Sequence, residues 1–255
     1  MIKEKFKNKA LITYFMGGFP SIEDSFQTAI TLIQNGADIL EVGIPFSDPV
    51  ADGVTIQVAH EKAIKDGITP IDIFNLTKRI KEKYPEIPLI AMTYYNLIFK
   101  MGEEQFCKIA KENGIDGFII PDLPPEESES FKKIANSFGL SQIFLAAPTS
   151  NEERIKLISQ LTDDFIYYVS LTGITGEREN LPWDELKQNV ENIKKITDKL
   201  VAVGFGVSKK EHSKIISTFA DGVIVGSAVV KLQAQKDFKG IAELVKNLKE
   251  GLLEA

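Results

Sequence analysis

Eight short apolar runs alternate with amphipathic stretches in a chain of 255 residues that has no linker or composition break. That pattern predicts an α/β fold, a single-domain (β/α)8 barrel of the TIM type with extra helices, spanning 1–255. The number of units favours closure, since an open doubly wound sheet also alternates strands and helices. The runs are ALITYF (10–15), DILEVGI (38–44), PLIAMTY (88–94), DGFIIP (116–121), QIFLAA (142–147), FIYYVS (165–170), KLVAVGF (199–205) and DGVIVG (221–226). They are rich in β-branched and aromatic residues and mostly apolar on both faces, as strands covered on both sides are.

The stretches between them carry helix start and stop signals. Ser21, Ser150 and Ser208 read as N-caps, each with an acidic residue three positions on (Asp24, Glu153, Glu211). Thr69-Pro70 supplies a cap followed by proline at the first helical position. Gly36, Gly67, Gly114 and Gly139 each end a periodic stretch. Within 21–35, Ile22, Phe26, Ala29, Ile30 and Ile33 form one apolar stripe, and Ile155, Ile158 and Leu161 form another. Two connections are long. The one after run 2 holds two helical stretches, 55–66 and 70–83, and run 6 is followed by the irregular LTGITGERENLP. In a barrel both begin at the C-terminal face, where sites are built.

Composition excludes several classes of function. Thirty Lys and Arg against 36 Asp and Glu, a net charge of −6, argue against a nucleic-acid groove. The one cysteine, Cys107, excludes an internal disulfide framework and reads as helix packing in EEQFCKIA. No apolar run approaches membrane-spanning length, and residues 1–15 hold no signal core. A chain of the reducing cytoplasm is therefore expected.

Glu41 is the sharpest chemical signal. Alternation puts Ile39, Glu41 and Gly43 on one face of run 2 and the apolar Leu40, Val42 and Ile44 on the other. The apolar set belongs under the helices, so Glu41 points into the barrel near its open end. A carboxyl there is costly unless paired or protonated, and often has a shifted pKa. The alternative reading is a structural ion pair with a barrel Lys or Arg, although none of the eight runs offers an interior cation near that end. Asp48 and Asp52 follow in PFSDPVADG. An aspartate before Pro or Gly is ordinary turn chemistry, but beside Glu41 a second carboxylate can divide acid and base roles.

Glycines form a second constellation. Gly204-Phe205-Gly206 follows run 7 and Gly226-Ser227-Ala228 follows run 8. Backbone N–H groups at a glycine turn opening a helix bind phosphate, and these two loops are the usual phosphate site of such barrels. Gly173-Ile174-Thr175-Gly176 suits either a flap over substrate or a plain surface loop. Tyr14, Phe15, Met92, Tyr94, Tyr167 and Phe205 lie near the same mouth, where they are core or line a flat apolar pocket.

Absences narrow the reaction. The only lysines in the runs, Lys9 and Lys199, sit at or before strand starts, which disfavours a Schiff base. His60 and His212 fall in helical stretches and read as solvated surface residues, so no metal site is expected. What is left is proton transfer by carboxylates on a phosphorylated small molecule.

The chain resembles the tryptophan synthase alpha subunit family nearly end to end. The resemblance is carried by LEVGIPFSDPVADGVTIQ (40–57), PDLPPEES (121–128), GITG (173–176), GFG (204–206) and VGSA (225–228). It implies a carbon–carbon lyase of tryptophan biosynthesis that cleaves indole-3-glycerol phosphate to indole and glyceraldehyde 3-phosphate. Glu41 would be the acid/base catalyst and Asp52 the carboxylate that binds the indole N–H. Gly176, Gly206, Gly226 and Ser227 would hold the phosphate. Tyr167 and Phe205 would shape the pocket, and Thr175 would order the flap. No cofactor is implied for this chain, because pyridoxal phosphate (PLP) belongs to a beta subunit that joins it in an alpha2-beta2 heterotetramer, with Asp48 facing that partner.

Two segments depart from the family pattern: TYFMGGFPS at run 1 lacks an acidic position, and run 6 exits as Ser-Leu-Thr-Gly. Rival phosphate-binding barrels fit less well. Indole-3-glycerol phosphate synthase would need lysines at strand ends, and pentose-phosphate epimerases would need metal-binding histidines. A barrel that binds its ligand and regulates a partner without turnover is the other reading.

Overall fold

A computed structural model describes residues 1–169, 182–204 and 206–254. Its elements, in order, are β1 (Ala10–Met16), α1 (Ile22–Gln34), β2 (Ile39–Gly43), α2 (Val54–Lys65), α3 (Pro70–Lys83), β3 (Leu89–Met92), α4 (Tyr95–Met101) and α5 (Glu103–Glu112). They continue with β4 (Gly117–Ile119), α6 (Glu129–Ser137), β5 (Ser141–Ala146), α7 (Glu152–Leu161), β6 (Phe165–Val169) and α8 (Trp183–Ile196). The last are β7 (Leu200–Gly204), α9 (Lys210–Ser217), β8 (Gly222–Val225), α10 (Ser227–Ala234) and α11 (Phe238–Leu253). All eight strands are parallel and close in sequence order, β8 pairing back onto β1. The predicted TIM barrel and its extra helices are thus observed.

Alternation along the strands sorts the apolar residues into two cores. Leu40, Val42 and Ile44 face the helices with Leu11, Phe15, Phe118, Phe144, Ile166, Val201 and Val223. Ile12, Ile39, Ile90, Ile119, Ile143, Phe165, Ala202 and Ile224 fill the barrel. A 3-10 turn at Lys3–Asn8 closes the bottom, its Phe6 ring lying 5.2 Å from that of Phe165. Packed side chains therefore plug the barrel from that end, and the cavity that Glu41 lines opens at the other.

The bottom is laced by a device repeated four times. Asp38, Asp116, Asp163 and Asp221 each precede an even-numbered strand. Their carboxylates accept the backbone N–H of Leu11 (2.7 Å), Leu89 (2.9 Å), Gln142 (2.8 Å) and Val201 (2.9 Å) on the odd-numbered strand before it. Each carboxylate also holds a lysine: Lys249, Lys81, Lys132 and Lys194 respectively. These clamps bind strands in pairs and satisfy backbone donors that the ladders leave over. Asp116→Ala would strand the Leu89 N–H and take the charge partner from Lys81, which keeps its bond to the Ile87 carbonyl, and should cost about 1–3 kcal/mol in urea unfolding. An unchanged midpoint would mean the clamp is idle.

Two of the four predicted caps stand. Ser21 accepts the Asp24 N–H at 3.1 Å, and Thr69 and Asp72 form a reciprocal capping box behind Pro70. The other two shift by one residue. Ser150 Oγ is taken by the N–H of Ala147, so Asn151 caps α7 instead. Ser208 faces the cavity, and Lys209 is the cap position of α9 without a side-chain bond. Cys107 is buried in helix packing, as expected.

Candidate active site

The two ends of β2 set the depth of the site. Ile39 belongs to the barrel plug, and Glu41, one pleat higher, emerges into a cavity of about 380 Å³ at the C-terminal mouth. Gly43, higher again, has no side chain because the Tyr14 hydroxyl lies where its Cβ would be, 2.2 Å away. The same substitution of space for side chain recurs across the barrel, where a Cβ on Gly204 would sit 2.9 Å from the Tyr167 ring. Two glycines thus admit two tyrosines that flank Glu41.

Glu41 is 0% exposed, and neither carboxyl oxygen has a hydrogen-bond partner among the described residues. Burial, reinforced by the negative charge of Asp52, pushes its pKa up to about 8. Burial first, and then the two carboxylates, raise Tyr14 and Tyr167 well above the ordinary phenol range, so both stay neutral. No ion pair to Glu41, the alternative reading, is found among the described residues.

Asp52 stands in the β2–α2 connection and lines the same cavity. Its Oδ2 accepts the Tyr94 hydroxyl at 2.6 Å and lies 3.2 Å from His60 Nε2. The opposite rim is backbone. Gly206 adopts φ +51° with open space where a side chain would be, and Gly226 caps α10, whose first residue is Ser227. Both glycines, Ser227 and Ser208 line the cavity, so a helix N-terminus with its unpaired N–H groups faces it. Between carboxylates and amides lie Tyr14, Met92, Ile119, Leu145, Tyr167 and Ile224, an apolar band that suits a flat ring.

Of the residues named from sequence, Glu41, Asp52, Gly206, Gly226, Ser227, Tyr14, Met92 and Tyr167 come together in this one cavity. Thr175, Gly176 and Phe205 lie outside the described residues. Tyr94 does not line the cavity. It stacks on Phe46 (4.9 Å between centroids) and holds Asp52 from behind, because the chain leaves β3 at Met92 and Tyr94 is the cap position of α4. Phe15 faces the helices.

The histidines need correction. His60 is 2% exposed, on the buried face of α2 with Ala59 and Ala63. His212 is half-buried, its ring 5.3 Å from that of Trp183, and burial lowers its pKa. Neither is a solvated surface residue. No cluster of three or more His, Cys, Asp or Glu able to hold a metal occurs among the described residues. Lys231, missed from sequence, also lines the cavity; its signal was its place one helical turn beyond Ser227 on α10.

Relatives share the whole of this architecture. The family model for the tryptophan synthase alpha chain matches residues 2–252. The chain belongs to that family. An alpha chain from Aquifex aeolicus is 53% identical over 253 residues, 99% of this chain and 96% of the relative. One from Methanocaldococcus jannaschii is 48% identical, covering 90% and 82%. Among solved structures, the tryptophan synthase alpha subunit from Legionella pneumophila superposes with a TM-score of 0.91 at 34% identity, over 100% of this chain and 97% of that one. Placed in that family, the PFSDPVADG segment is the turn that carries Asp52 to the mouth. Asp48 lies on its exposed side with Val50.

Proposed function

We propose that the protein cleaves indole-3-glycerol phosphate by a retro-aldol reaction to indole and glyceraldehyde 3-phosphate, a lyase step of tryptophan biosynthesis in the cytoplasm. The observation that carries this reading is Glu41: a carboxyl buried in the cavity with no hydrogen-bond partner among the described residues, opposite a rim of glycine amides. With its pKa near 8, the carboxyl holds its proton at neutral pH and gives it up readily, which suits an acid that must act again as a base.

The substrate's phosphate sits on the N-terminus of α10 and the Gly206 turn, its ring lies in the apolar band, and the Asp52 carboxylate accepts the ring N–H. Glu41 protonates the ring at C3. The cationic ring then takes the electron pair of the breaking C–C bond, while the carboxylate left on Glu41 removes the proton of the glycerol hydroxyl that becomes the aldehyde. One proton enters and one leaves, so no cofactor is called for in this chain. The membrane has no part in the proposal: no described helix is long and apolar enough to cross one.

A partner follows from the surface. Val50 (80% exposed), Val54 and Val58 form an exposed apolar row along the β2–α2 connection and one side of α2. Such an apolar patch beside a mouth fits a protein interface. We assign it to the PLP-dependent beta subunit, in an alpha2-beta2 assembly that receives the indole.

The experiment is an indole-formation assay on indole-3-glycerol phosphate with and without the beta subunit. Turnover that rises on mixing supports the proposal; ligand binding with no turnover in either case supports a regulatory barrel instead. Asp52→Asn should lower kcat by about 10²-fold or more, with a smaller change in KM, since it touches the ring and not the phosphate. A raised KM at unchanged kcat would put Asp52 in binding alone.

A further inference from the structure

His60 carries nothing in the mechanism above, yet it is buried beside the site and both ring nitrogens are engaged. Nδ1 accepts the backbone N–H of Phe46 at 3.0 Å, and Nε2 lies 3.2 Å from Asp52 Oδ2. A ring nitrogen that accepts a hydrogen bond carries no proton, so the neutral imidazole holds its proton on Nε2 and donates it to Asp52. The Tyr94 hydroxyl, 2.6 Å away, donates to the same oxygen and in turn accepts the Ala51 N–H at 3.2 Å. Among the described residues no donor is bonded to Oδ1.

We propose that His60 is a positioning residue: the chain Phe46 N–H, imidazole, Asp52 places two donors on Oδ2 and so leaves Oδ1 to accept the ring N–H of the substrate. The inference rests on the role assigned to Asp52 above. The geometry explains why a histidine stands on the apolar face of α2. A side chain there must accept from a backbone donor in the turn and donate to a carboxylate at once, and the Nε2–H tautomer does both with one rigid ring. Its rigidity matters, because the carboxylate sits on a turn and not on a strand, and a loosely held oxygen would miss the ring nitrogen.

The test uses the full chain and two amide replacements that divide the imidazole's contacts. His60→Gln puts a donor near the place of Nε2 and keeps the Asp52 contact. His60→Asn puts an acceptor near the place of Nδ1 and keeps only the Phe46 contact. His60→Asn should lower kcat for indole release on the order of 10²-fold with little change in KM, and His60→Gln should recover most of that loss. Equal loss in both, or none in either, overturns the proposal. Should His60→Asn not fold, Tyr94→Phe removes the companion donor while keeping the ring that stacks on Phe46, and the same fall in kcat is expected; wild-type kcat there is contrary.

A second readout needs no activity. Long-range proton–nitrogen NMR of the wild-type chain at pH 8 should show His60 as the Nε2–H tautomer, and a proton on Nδ1 rules the arrangement out. The two failures are separable. An active Asp52→Asn variant overturns the assigned role of Asp52, whereas a dead Asp52→Asn with indifferent His60 variants overturns this inference alone.

Discussion

Glu41→Gln is expected to lose indole release by about 10²–10⁴-fold while folding normally, because the amide keeps the shape of the side chain but has no proton to exchange. Few buried carboxyls allow so clean a substitution. Neither oxygen of Glu41 bonds to another described group, so no network is broken and no cation is left unpaired. The loss should fall on kcat, since the glycine turns proposed to hold the phosphate are on the opposite rim. Activity within about tenfold of wild type would remove Glu41 from the chemistry.

The same variant should change how stability depends on pH. A carboxyl with a pKa of about 8 in the folded chain, against 4.5 when exposed, binds its proton more tightly when folded. The stability this supplies is fully present below the unfolded value and is lost as pH rises through 8. At 1.36 kcal/mol per unit the loss is on the order of 4 to 5 kcal/mol across that window. Urea unfolding of wild type and Glu41→Gln at pH 5 and pH 9 isolates it, because every other titrating group is common to both proteins. The variant should gain on wild type by several kcal/mol at the higher pH. Parallel pH curves would show that the carboxyl is not held in its protonated form.

Much of this is legible from the chain itself, for local reasons. The eight strands fall within the apolar runs, give or take a residue or two, because a strand covered on both faces has a compositional signature that needs no tertiary information. Period-two alternation alone turned Glu41 inward, and the glycines after β7 and β8 reached the rim because barrel closure puts those loops side by side.

What was not legible depended on contacts between distant segments. Tyr94 looks like the end of a strand, yet the chain turns into α4 there, and its hydroxyl meets Asp52, 42 residues earlier. His60 shares its helix face with Ala59 and Ala63, a pattern visible in the sequence, but its partners Phe46 and Asp52 converge only when the turn folds back on α2. The cap at Ser150 moved by one residue because Ser150 was already occupied by Ala147. In each case a polar side chain had two possible neighbours, and packing chose between them.

The central claim is that one buried carboxyl stays protonated at neutral pH in a cavity lined by amides and aromatic rings. Infrared difference spectra between wild type and Glu41→Gln, recorded across a pH titration, measure that directly. A protonated carboxyl C=O band present at pH 7 and fading with a midpoint near 8 is the result the account predicts. A carboxylate band already complete at pH 6 would contradict it.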